Sequence, residues 1–168
     1  MLHGVLHNTL FVALLSGAAL GQTAPTIPSK EEIFELVDKA DQKVSAFEAA
    51  IKQVRVVLDD ADPGLSENYL DAASTAHWMI QTAHKNGPSA YALVALLATL
   101  DDLSLDAMRA AVIFAKLGTS RPGANDAVIL LTAVGTGCND IAELIMHATL
   151  RYIQAEEKIL EILLDKKE

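Results

Sequence analysis

Ile33, Val37, Ala40, Val44, Phe47, Ile51, Val54 and Leu58 recur along the chain in alternating steps of four and three. Such steps return to the same side of an α-helix, so the spacing predicts one amphipathic helix with a single apolar stripe over residues 33–58. Lys39, Asp41, Lys43, Glu48 and Lys52 lie between the stripe positions and suit the opposite, wet face. A helix of this length spans about 40 Å at roughly 1.5 Å per residue, and its stripe needs partners. Ser29 with Glu32 three residues later matches a capping box, which sets the start. Asp59, Asp60, Asp62, Pro63 and Gly64 oppose continuation at the other end.

The same period continues downstream. A second helix carries Leu65, Tyr69, Ala72 or Ala73, Ala76, Met79 or Ile80, and Ala83, and stops at Asn86, Gly87 and Pro88, with Gly87 suited to a left-handed C′ position. A third, over residues 91–117, is the most apolar. Leu93, Leu96, Leu97, Leu100, Leu103, Ala107, Ala111 and Phe114 form a broad stripe that Val94, Leu105, Met108, Val112 and Ile113 widen. That breadth fits a core helix surrounded on all sides, and equally a helix bordering a dry site for an apolar ligand. Gly118 ends it, and residues 119–123 read as a connector. Asn125 is the expected N-cap of a fourth helix with Val128, Leu131, Val134, Cys138, Ile141, Ile145, Ala148 and Tyr152 on one side. Gly135 and Gly137 either allow close approach of a neighbouring helix or break the chain there, with residues 140–143 recapping it. Ile159, Leu160, Leu163 and Leu164 carry the pattern onward. The expected fold is therefore all-α, an antiparallel bundle of four to five amphipathic helices over residues 30–168.

Residues 10–20 are an apolar run too short to span a bilayer, followed by small residues, and residues 1–21 read as a secretory signal peptide cut after Gly21. Residues 22–29, with Pro25 and Pro28, read as an extended leader. Cys138 is the single cysteine, so no disulfide can form within the chain, and its apolar neighbours suggest a small buried hydrophobe. The net charge of −9 falls wholly after residue 29 and argues against nucleic acid and anionic membranes as partners.

No pattern of catalysis is present. Phosphate loops, nucleophile elbows, paired CxxC units and strand-like alternation are missing from the sequence. Asp60, Asp62 and Gly64 lack the later ligands of a calcium loop. His77 and His84 are seven apart and His147 is distant, which suits surface histidines better than a zinc site. Asp101, Asp102 and Asp106 read as solvated acids, and Trp78 as either a core edge or an exposed contact. No catalytic, cofactor-binding or metal-binding residue is assigned, and no cofactor is expected.

The capped first helix, the Ala-rich second, the run from Leu93 through Val94, Ala95, Leu96, Leu97, Ala98 and Thr99 to Leu100, then Ala115, Lys116, Gly123 and the run Leu130, Leu131, Thr132, Ala133, Val134 resemble the fungal hydrophobic surface-binding protein A family, which includes the antigenic cell-wall galactomannoproteins. The likeness covers roughly residues 31–150. Trp78, Cys138 and the long tail after Arg151 depart from it. The resemblance implies a secreted or cell-wall helical bundle without enzymatic activity. Some relatives bind hydrophobic surfaces and help recruit a secreted polyester hydrolase, and others hold a fatty acid between helices. It transfers no ligand-contact residue. The expected function is binding of hydrophobic surfaces, lipids or fatty acids, with no transmembrane span in the mature chain. The alternative is a secreted protein–protein interaction module, an effector or a helical oligomer.

Overall fold

The computed structural model describes residues 28–87 and 89–165, with side chains to Lys158 except that of Thr119. The expected signal peptide, most of the leader and the side chains of the tail's leucines lie outside the described residues. Four helices follow in order: α1 (Lys30–Ala61), α2 (Leu65–Asn86), α3 (Ala90–Leu117) and α4 (Ala124–Asp165), with a short 3-10 turn at Gly118–Ser120 before α4. No strand occurs among the described residues.

Each start has a local cause. The Ser29 hydroxyl accepts the Glu32 amide at 3.0 Å, as a capping box requires. Glu32 itself turns to Arg151 of α4 and does not close the reciprocal half. Ser89, which the sequence pattern left unassigned, caps α3 by accepting the Ala92 amide at 3.1 Å. Asn125 is not the cap of α4. The Gly123 carbonyl accepts the first helical bond, from the Ala127 amide at 3.0 Å, and Gly123 adopts φ 80°, which glycine tolerates without strain. Gly87 has the expected positive φ, 82°, but ψ of 147° takes it away from the left-handed helical region, so the cap expected there does not form.

Partner residues fix the direction of every helix. Arg121, before α4, pairs with Asp60 at the end of α1, while Arg151 far along α4 pairs with Glu32 at the start of α1. His84 and His77 of α2 meet Asp38 and Asp41 of α1, again running opposite ways. Thr99 of α3 donates to the Met79 sulfur of α2 at 3.3 Å, each well inside its helix on either side of the connection. The bundle is thus antiparallel, with α1 touching all three other helices, α3 and α4 sharing the most extensive interface, and α2 not reaching α4.

All eight stripe residues of α1 are buried, joined by Leu36 and Ala50. They meet Tyr69, Ala73, Ala76, Ile80 and Ala83 of α2, the inner leucines of α3, and Leu131, Cys138, Ile141 and Ile145 of α4. At ~1.5–3 kcal/mol for each large side chain removed from water, this stripe supplies much of the driving force for closing the bundle. No buried side-chain nitrogen or oxygen among the described residues lacks a partner. The helix α4 runs unbroken through Gly135 and Gly137. Beyond Arg151, Tyr152 packs against the core and Ala155 is buried, and the helix continues to Asp165.

Candidate functional site

The breadth of apolar sequence in α3 divides into two stripes in the structure. Leu93, Leu96, Leu100, Leu103, Ala107, Ala110, Ala111 and Phe114 face the core. The second stripe, Val94, Ala98, Asp101, Leu105, Met108, Val112 and Ala115, again advances by steps of four and three, and faces outward. Leu105, Met108 and Val112 are 48%, 36% and 52% exposed. Three large apolar side chains in register on one face differ from the isolated exposed residues Val56 and Trp78, which need no special account.

The packing of α4 fixes its height against this stripe. Gly135 sits directly against α3, where a Cβ would stand 3.1 Å from the Ser104 carbonyl oxygen and 3.5 Å from the Met108 methyl. The absence of a side chain is what lets the two helices approach this closely. With that antiparallel register, Ile129 of α4, 68% exposed, lies level with Val112. Val128, Leu97 and Ile113 are partly buried and packed onto the core. Asp101 interrupts the stripe, and Asp102 and Asp106 border it. Arg109 holds Asp106 at 3.0 Å, and burial pushes the Asp106 carboxyl above its ordinary value, with Arg109 opposing that shift.

The remaining candidates do not converge on this face. His77 Nδ1 lies 2.8 Å from Asp41 and its Nε2 lies 3.6 Å from Glu48, while His84 lies 3.1 Å from Asp38 and stacks on Phe34 with ring centroids 5.4 Å apart. These contacts tie α2 to α1. His147 is on α4, exposed beside Glu143. No group of three metal-ligating side chains occurs among the described residues. Cys138 is fully buried, and burial pushes its thiol up to about 11, which removes it as a nucleophile near neutral pH. Trp78 is exposed and stands on the outer face of α2.

One acid has a role the sequence pattern did not reveal. Asp59 accepts both the amide of Ser66 at 3.1 Å and its hydroxyl at 2.9 Å, so a side chain of α1 caps α2 across the Pro63–Gly64 turn. Those bonds hold the Asp59 carboxyl below its ordinary value. The signal available was Gly64 at the start of α2, a residue without a capping side chain, with a serine two residues later.

At the end of the bundle where α1 begins, Pro28, Lys30, Ile33, Gly87 and Tyr152 line an open pocket of about 260 Å³. Ligand sites for drug-sized molecules run from ~300 to ~1,000 Å³. Among the described residues α4 is the one helix long and apolar enough to cross a membrane, over Ala124–Lys158, a property that helices of soluble cores share. Comparison with known proteins gives no match: no family model fits the chain, and no curated protein or solved structure is similar to it.

Proposed function

We propose that the chain is a secreted, non-enzymatic helical protein that adsorbs to hydrophobic surfaces or lipids, and that the outer stripe of α3 is its contact face. The observation that carries this reading is the exposure of Leu105, Met108 and Val112 on one helical stripe, level with Ile129 of the neighbouring helix. Burying the remaining exposed halves of four such side chains is worth roughly 4 kcal/mol at about 1 kcal/mol each. That corresponds to a dissociation constant near 1 mM for an isolated contact, about −4.1 kcal/mol, so adsorption would be weak for each molecule and effective on an extended surface.

The likeness to the hydrophobic surface-binding protein A family supports the same reading, and with it a place at or beyond the cell wall and a secreted hydrolase as a partner. The net charge of −9 disfavours anionic lipid, leaving neutral lipid and uncharged polymer as the preferred surfaces. The test is adsorption to hydrophobic polymer particles and to phosphatidylcholine vesicles, comparing the native chain with Leu105→Glu and Val112→Glu. Retention of the native chain and loss in both variants is expected. A native chain that stays in solution, or variants that adsorb equally, would refute the proposal.

A further inference from the structure

We propose that the outer stripe of α3 also binds a second copy of this chain, with the two α3 helices antiparallel about a two-fold axis near Met108. Self-association draws on the same face as adsorption but does not require it. Val94, Ala98, Asp101, Leu105, Met108, Val112 and Ala115 hold the four-three spacing of a coiled-coil seam over about 33 Å. Such a seam is self-complementary, which a two-fold interface requires.

Charge selects the direction. Asp102, Arg109 and Lys116 are seven residues apart and form one edge of the stripe, acidic at one end and basic at the other. Parallel copies would set this edge against the opposite edge of the partner, where Leu97 and Ser104 stand, leaving the charges without counter-ions, and would put Asp101 against Asp101. Antiparallel copies instead place Asp102 of one chain against the Arg109–Lys116 end of the other, twice by symmetry. Ion pairs already present within the chain, such as Arg109 with Asp106, leave guanidinium donors for a second carboxylate.

The area sets the strength. A strip about 33 Å long and ~10 Å wide covers roughly 330 Å² per copy, about 660 Å² in total, below the ~1,200 Å² total of a stable complex. The dimer is therefore reversible and concentration-dependent, and adsorption to a surface competes with it for the same residues.

Sedimentation velocity of the full chain over a dilution series tests this. The expected result is a monomer–dimer equilibrium that Leu105→Glu and Val112→Glu each abolish, with helicity and melting temperature unchanged because both side chains are half exposed. Asp102→Lys should weaken the dimer roughly fivefold, and adding Lys116→Asp should recover most of that loss. A chain that is monomeric at every concentration overturns the proposal. So does a dimer that survives both stripe variants, or one lost only when residues 159–168 are deleted. Adsorption by a strictly monomeric chain would remove the dimer and leave the surface reading standing, whereas a dimer without adsorption would do the reverse.

Discussion

Replacing Gly135 and Gly137 by alanine separates packing from helix propensity within one turn of one helix. Both lie inside α4, where alanine is favoured over glycine by ~0.8–1 kcal/mol. Their surroundings differ. A Cβ on Gly137 would meet the Cδ and Nζ of Lys43, each at 3.3 Å, and Lys43 is an exposed chain whose end can swing aside. A Cβ on Gly135 would meet the Ser104 carbonyl oxygen at 3.1 Å and the Ala107 Cβ at 3.3 Å, which belong to the backbone and the short side chains of a packed helix. Relief there requires α3 and α4 to part by a few tenths of an ångström along the largest interface of the bundle, and overpacking of this kind costs ~1–3 kcal/mol.

Gly137→Ala should therefore stabilise the protein by about 0.5–1 kcal/mol. Gly135→Ala should be neutral to destabilising by about 2 kcal/mol, the overpacking cost less the gain in propensity. Urea unfolding followed by far-UV circular dichroism measures both, with unchanged slopes showing that the denatured state is not the cause. Equal stabilisation in the two variants would refute the argument that α3 holds Gly135.

Asp59→Asn should lower the melting temperature and remove part of its acid dependence. The folded-state pKa of Asp59 is depressed, so its contribution is complete above the ordinary aspartate value near ~4 and is lost as pH falls through the lower folded value; a melting profile between neutral pH and pH ~3 checks the sign. Cys138 should resist a thiol reagent in the folded protein at mildly alkaline pH and react fully in denaturant, since burial raises its pKa to about 11. Ser89→Ala should cost ~1 kcal/mol through loss of the α3 cap, measured by urea unfolding. Arg151→Ala should change stability by less than ~1 kcal/mol by the same method, because its pair with Glu32 is half exposed at both ends.

The stripe of α1 was legible because one residue in three or four is apolar and most of the others are charged, polar or small, leaving a single way to orient the helix. Helix ends marked by Ser29, by the Pro63–Gly64 turn and by Gly118 followed from local chemistry for the same reason. The continuity of α4 was not legible. Two glycines lower the intrinsic propensity of its middle, and only the approach of Ser104 and Ala107 explains why the helix persists there. Asn125 and Gly123 both suit a cap, and the choice between them depends on the φ of 80° that the preceding turn imposes on Gly123. The Asp59–Ser66 clasp escaped because it joins two helices across a turn, seven residues apart, where no helical period relates them. The outer stripe of α3 was visible only as breadth, since a sequence does not say on which sides a helix has neighbours.

The wet face of α1 shows what an ordinary outer surface of this protein contains. Lys39 pairs with Glu35, Lys52 with Glu48 and Arg55 with Asp59, each four residues apart along the helix, with all three cations exposed. The outer stripe of α3 places Leu105, Met108 and Val112 where α1 places those ions. Because α1 and α3 touch across the middle of the bundle while α2 and α4 do not meet, their outer faces point in roughly opposite directions. A molecule resting on α3 would therefore keep the ion pairs of α1 hydrated and leave their charges with no desolvation cost. Contact through α1 would have to strip water from those ions for little apolar gain, so the distribution of charge orients the adsorbed protein as strongly as the stripe itself.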